Sequence, residues 1–259
     1  MSSTRLTIDG LRHYVCNGVH RPLPSVTSVL SATQTEKTRK KLEAWNAANP
    51  GKSAKAAERG SWIHGAVENY IRGLVVDPPA HYHPYWVDMP QALDELLDGA
   101  TVLWSEKPYN QPQWSSYVGE DGVGRLHYYD PKQDHGYAGC PDIIYKNREG
   151  EIILGDFKTS VGPYSSRFPS SKADISETLK KQMISGVFKL KKTTLQLAAY
   201  KAAAESCLGV EISKTQIIVS TEDPRFSVQT FTFSEKEVER HTADWFSVLK
   251  QFHSKDQQD

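Results

Sequence analysis

The chain has 259 residues, with 31 basic and 31 acidic side chains and a formal net charge of zero. Six Trp, twelve Tyr and eight Phe supply apolar surface that a disordered chain lacks, and the length suits one large domain or two small ones. A mean hydropathy of −0.54 and the lack of any long apolar run exclude a transmembrane helix. The N-terminus carries neither a signal-peptide segment nor an Arg-rich transit pattern. Three distant cysteines make no disulfide framework. Together these suit a cytoplasmic protein of a bacterial or phage-infected cell. The charge of zero argues at first sight against a nucleic-acid partner, which usually leaves a basic excess.

In chain order, residues 4–16 read as a hairpin around Asp9-Gly10, a dipeptide suited to positive φ. A short helix over 26–33 follows Ser25, a cap residue. The pattern is helical from Thr35 to about Ile71, with Leu42 and Trp45 forming a buried stripe and a second helix from near Ser53 to Gly73. Pro78, Pro79, Pro84 and Pro90 mark residues 77–90 as a loop, and residues 91–99 as a helix after it. Residues 101–159 form short β-rich runs, with Asn147 to Gly150 as a hairpin loop. Residues 160–178 read as a long loop, 195–209 as a helix ending at Gly209, and 215–221 and 226–233 as strands. A C-terminal helix opens on Ser234 and Glu237 in capping-box spacing and runs to about residue 252. This order predicts an α+β (mixed α/β) fold: one domain over 1–259, a helical part at about 24–100, and a core at about 101–233 built on a central, mostly antiparallel sheet flanked by helices.

Four local features carry chemistry. His64 and Glu68 stand four apart on a helix and share a face. Gly139-Cys140-Pro141-Asp142 opens a strand. Asp156-Phe157-Lys158 ends the next one, and strand alternation puts Asp156 and Lys158 on one face with Phe157 on the other. Gln196 and Tyr200 are again four apart on a helix. Carboxylates converging from adjacent strands, Asp142 and Asp156, can hold Mg²⁺ or Mn²⁺. Such an ion polarises a phosphoryl oxygen and acidifies a bound water. Lys158 could orient that water or neutralise charge on the phosphate, His64 could complete the metal shell, and Glu68 could act through water or orient a neighbour. Glu106, on a strand before the site, is a further candidate ligand.

Pro141-Asp142, Asp156-Phe157-Lys158 followed by Thr159-Ser160, Gln196-x-x-x-Tyr200 and the upstream His64 resemble the PD-(D/E)xK nuclease superfamily, RecB-like exonuclease branch. Pro24-Ser25-Val26-Thr27 is similar to the entry of the mitochondrial genome maintenance exonucleases and their phage and bacterial relatives. The resemblance implies a restriction-endonuclease-like core and a metal-dependent deoxyribonuclease. It implies metal ligation by His64, Asp142, Asp156 and the Phe157 carbonyl, catalysis by Asp142, Asp156 and Lys158, and support or DNA contact by Gln196 and Tyr200. Three scattered cysteines speak against the four-cysteine iron–sulfur cluster of some relatives.

Local counting revises the charge argument. Residues 158–192 carry eight basic residues, among them Arg167, Lys172, Lys180, Lys181, Lys189, Lys191 and Lys192, against Asp174 and Glu177. Residues 37–59 carry seven, against Glu43 and Glu58. Both flank candidate site residues and suit a phosphate-tracking groove. Tyr82, Tyr85, Trp86, Trp104, Tyr109, Trp114 and Tyr117 are candidates for base stacking. The expectation is a metal-dependent DNA exonuclease acting on single-stranded ends in replication, recombination or repair. A structure-specific endonuclease, an inactive nucleic-acid-binding module on the same fold and an assembly protein are the alternatives.

Overall fold

Asp9 and Gly10 both take positive φ, 50° and 74°, and turn β1 (Arg5–Ile8) antiparallel onto β2 (Leu11–Tyr14) as Ile8 meets Leu11. The computed structural model in which this is seen describes residues 5–108, 111–170 and 174–256. β3 (Leu23–Pro24) completes a three-stranded sheet. Ser25 caps α1 (Val26–Ala32), its hydroxyl accepting from the Ser28 N–H at 3.0 Å.

Helices α2 (Glu36–Ala48) and α3 (Lys52–Ile71) are separated at Asn49-Pro50-Gly51, where Gly51 takes φ 79°. The stripe expected to bury α2 does not: Leu42 and Trp45 are about half exposed and no residue of this helix is buried. Amphipathic spacing makes a face available for burial but supplies no partner for it. The proline-rich segment is not the uninterrupted loop expected. It holds α4 (His83–Trp86) and the start of α5 (Met89–Leu97). Pro84 and Pro90 occupy the first turns, where a missing N–H breaks no helical hydrogen bond.

The remaining elements are β4 (Thr101–Ser105), β5 (Leu126–Asp130), β6 (His135–Gly139), β7 (Ile143–Lys146), β8 (Ile152–Ser160), α6 (Glu177–Leu208), β9 (Lys214–Thr221), β10 (Val228–Phe233) and α7 (Glu235–Asp256). The fold is mixed α+β. Its main sheet has the order β10-β9-β8-β7-β4, parallel only between β8 and β9. That parallel pair requires a crossover, and α6 is part of it. β5 and β6 do not join this sheet as a single meander would. They form their own ribbon, because the chain breaks at Cys140-Pro141 between β6 and β7. α6 is also far longer than expected. Its first turn lies at Glu177, where the Ser176 hydroxyl accepts from the Leu179 N–H at 3.2 Å.

Strand alternation divides the core. Leu154, Ile217 and Val219 face α6, α7 and α1, packing with Leu197, Ala198, Trp245 and Val29. Ile153, Phe157, Ile143 and Ile218 face α3, α4 and α5, packing with Ile63, Val67, Trp86 and Leu93. The end of β4, the start of β7 and the second half of β8 meet at one end of the sheet's strands. α3 covers that end from one face and α6 from the other. Among the described residues no helix is long and apolar enough to cross a membrane.

Candidate metal centre

Asp142 immediately precedes β7 and Asp156 lies on β8; Ile143 pairs with Gly155, so the next step of the register sets the two carboxylates opposite each other. Asp142 Oδ2 accepts from the Phe157 N–H at 2.6 Å, which fixes its carboxylate to the neighbouring strand. Its other oxygen lies 3.2 Å from His64 Nδ1, reached from α3. The same nitrogen is 3.6 Å from Glu106 Oε2, at the end of β4. Ligand atoms of His64, Glu106 and Asp142 all lie within 4.8 Å of one another and can hold a metal ion. His64 and Glu106 line a cleft of about 270 Å³ with Gly60, Ser61, Gly65, Glu68 and Lys107.

Asp156 stands beside this group and pairs with Lys158, as their shared strand face predicts. Asp156 is buried, and its Oδ2 is the atom that meets the Lys158 ammonium. The Lys158 ammonium also reaches the Phe157 carbonyl, at 3.4 Å. Metal ligation by His64, Asp142, Asp156 and the Phe157 carbonyl was the expected set. The tight group instead contains Glu106, with Asp156 and that carbonyl adjoining it around Lys158.

Electrostatics tie these groups together. Burial works against a charged His64, yet the Asp142 carboxylate and its hydrogen bond, aided by Glu106, raise the imidazole to about 10. Burial would raise Asp142, but His64, Lys158 and the Phe157 N–H hold it below the usual carboxylate value. Asp156 goes the other way: burial pushes it to about 6 against the attraction of Lys158. Burial disfavours the Lys158 cation, and Asp156 and Asp142 more than compensate, so its pKa rises. A buried carboxylate pushed upward and a His between two more carboxylates form a set that a cation relieves.

The other expected residues fall into distinct places. Glu68 is buried, with its Oε1 3.0 Å from the Ser105 hydroxyl, and burial raises its pKa. It braces the strand end that carries Glu106. Gln196 Nε2 donates to the Tyr200 hydroxyl at 2.6 Å. The buried Tyr200 ring packs over Gly139, where a Cβ would come within 2.3 Å of it, so this pair supports the chain leading into Asp142. Lys189 donates to Ser160 Oγ at 2.8 Å, beside the end of β8. Lys192 stands three residues from Lys189 on α6 and so shares its helix face, and burial and the Lys158 charge lower its pKa. Lys191 turns the other way, into a cleft against Glu237, Arg240 and Asp244 of α7. Lys180 pairs with Glu177 at 3.0 Å and Lys181 is exposed at the start of α6. Lys172 and Tyr109 lie outside the described residues.

Among the described residues, the aromatics named as candidates for base stacking are structural. Trp104, Tyr82, Tyr85 and Trp86 are buried. Trp104 Nε1 donates to the Pro141 carbonyl at 3.2 Å, Trp114 Nε1 to the Leu103 carbonyl at 2.9 Å, and the Tyr117 hydroxyl to the Cys207 carbonyl at 2.7 Å. Each polar tip is satisfied inside the protein and each ring fills the core. Sequence reading overlooked Ser105, which adjoins Glu106 at the end of β4, the one signal that could have found it.

No family model matches the chain, and no curated protein matches it.

Proposed function

We propose that the chain is a divalent-metal-dependent deoxyribonuclease that hydrolyses phosphodiester bonds from single-stranded DNA ends. The observation that carries this reading is the convergence of His64, Glu106 and Asp142 within 4.8 Å beside the Asp156–Lys158 pair. An imidazole with several carboxylates suits Mg²⁺ or, better, Mn²⁺, which accepts nitrogen as well as oxygen ligands. His64, Glu106 and Asp142 would hold the ion, with Asp156 and the Phe157 carbonyl within reach. When bound it supplies Lewis-acid polarisation of a phosphoryl oxygen and a more acidic water.

The protein's own groups do the rest. Asp142 is immobilised by the Phe157 N–H and so presents its second oxygen in one orientation. Lys158 is held by Asp156, beside the Phe157 carbonyl, where an ammonium can orient an attacking water or neutralise charge developing on the phosphate. Lys189 and Lys192 flank the end of β8 and can hold the phosphates of the strand. Zero net charge is compatible with this arrangement, because the carboxylates cluster at the cation site and the lysines beside it.

The test is degradation of end-labelled DNA with and without EDTA, for the parent, Asp156→Ala and Lys158→Ala. Metal-dependent loss of label that both variants abolish supports the reading. Cleavage at the parent rate by both variants overturns it. A covalently closed single-stranded circle left intact assigns end dependence, and a cut circle assigns an endonuclease.

A further inference from the structure

Two large apolar side chains near the site have no place in either core. Phe168 is 59% exposed and Phe188 is 62% exposed. They meet edge to face, with ring centroids 5.8 Å apart and planes at 66°. Phe188 stands on α6, and Phe168 on the strap that leaves β8 at Ser160. Such surface leaves two rings in water at a cost unless something covers them.

The pair is held firmly. A Cβ at Gly186 would lie 2.2 Å from the Pro163 carbonyl oxygen, and one at Gly162 would lie 2.8 Å from the Gln182 side chain. The absent side chains let the strap lie directly on α6. Tyr164 further exchanges hydrogen bonds with Gln229 of β10, its N–H donating at 2.9 Å and its carbonyl accepting at 3.2 Å. Phe168 therefore leaves an anchored segment.

Charge identifies the occupant. Of the six lysines between Glu177 and Glu205 on α6, Lys180 and Lys201 pair with those two carboxylates and Lys191 turns to α7, which leaves Lys181, Lys189 and Lys192, and Arg167 adjoins Phe168. Lys189, next to Phe188, donates to Ser160, which is two residues along β8 from Lys158. Exposed ring faces beside unneutralised cations on the same helix fit a polyanion with exposed π-faces. A second copy of this chain would bring the same lysines face to face.

We propose that Phe168 and Phe188 form a stacking platform for an unpaired nucleobase of the DNA strand whose phosphates run along the α6 lysines to the metal centre. This rests on the nuclease reading and deepens it to a basis for strand preference. A duplex keeps its base faces stacked internally and offers none to the pair, whereas every unpaired base has a face to present.

The experiment is fluorescence anisotropy in EDTA with labelled single-stranded DNA, a fully abasic strand of the same length and a blunt duplex. It compares the parent, the double variant Phe168→Ala with Phe188→Ala, and Phe188→Trp. Stacking of one base predicts that the double variant binds the base-bearing strand about 5- to 160-fold more weakly. Its affinity for the abasic strand and the duplex stays at the parent value, and Phe188→Trp retains tight binding. Both rings are exposed, so the melting temperature of the double variant stays near that of the parent. A parent that cuts DNA while the double variant keeps its preference for base-bearing over abasic strands overturns the platform alone. A parent that binds none of the three probes overturns the nuclease reading as well. Self-association of the parent in sedimentation velocity that the double variant lacks assigns the rings to a contact between copies and likewise overturns the proposal.

Discussion

Replacing Gly186 by Ala sets local helix preference against tertiary fit. Gly186 lies inside α6, where Ala is favoured over Gly by about 1 kcal/mol. The added methyl would stand 2.2 Å from the Pro163 oxygen, 3.0 Å from Tyr164 Cα and 3.2 Å from the Pro163 carbonyl carbon. All three are backbone atoms, so no rotamer change relieves the clash and the strap must retreat by about 1 Å to restore ordinary contact. Overpacking of this kind costs ~1–3 kcal/mol, and backbone displacement puts it toward the upper end. The net expectation is a loss of roughly 1–2 kcal/mol, or a melting temperature lower by roughly 2–8 °C for a chain of this size. Gly65 is the control: it too is helical, but nothing lies within 4 Å of its Cβ position. Gly65→Ala should gain up to about 1 kcal/mol from helix propensity alone. Urea unfolding of both variants measures the pair. A Gly186→Ala protein as stable as Gly65→Ala would refute the close strap–helix packing and the reasoning built on it.

In thermal unfolding, Mn²⁺ should raise the melting temperature of the parent and leave that of a His64→Ala, Asp142→Asn protein unchanged, because a ligand bound only by the folded state stabilises it. For the metal-free protein, His64 is raised from 6.5 to about 10 by folding. Its pairing with Asp142 and Glu106 therefore contributes fully below pH 6.5 and is lost as pH rises toward 10, so His64→Gln should flatten this part of the urea-midpoint profile. Lys189→Ala with Lys192→Ala should weaken single-stranded DNA binding and reduce the salt slope by up to about 1.4. Lys191→Ala, whose side chain faces α7, should change neither by a comparable amount. Anisotropy titrations over a salt series separate these outcomes.

Much of the site was legible because it depends on short-range periodicity. Asp156 and Lys158 share a strand face, and Phe157 enters the opposite core, as alternation requires. Gln196 and Tyr200 meet across one helical turn. The Ser234–Glu237 cap also forms, with Glu237 Oε2 accepting from the Ser234 N–H at 3.0 Å. The first half of α6 was less legible, because residues 178–194 mix lysines, β-branched residues and Gly186 without a clean apolar stripe. Its packing against the strap at Gly186 supplies what local propensity does not. The aromatic assignments failed for a related reason. Composition records how many rings there are, whereas burial depends on whether a facing element exists. Trp104 found a core, while Phe168 and Phe188 did not.

By itself, the sequence determined the turns, the caps, the mixed α+β class and the faces from which Asp142, Asp156, Lys158 and His64 project. These follow from backbone sterics and from periods of 2 and 3.6 residues, which act over a few positions. Only the tertiary structure decided that β4 ends beside β7, so that Glu106 joins His64 and Asp142 across sequence separations of 42 and 36 residues. It also decided that Lys189 and Lys192 turn toward the site while Lys191 turns away. Those outcomes depend on strand order and on which helix face meets the sheet, and both are set by burial of the whole core rather than by any local preference.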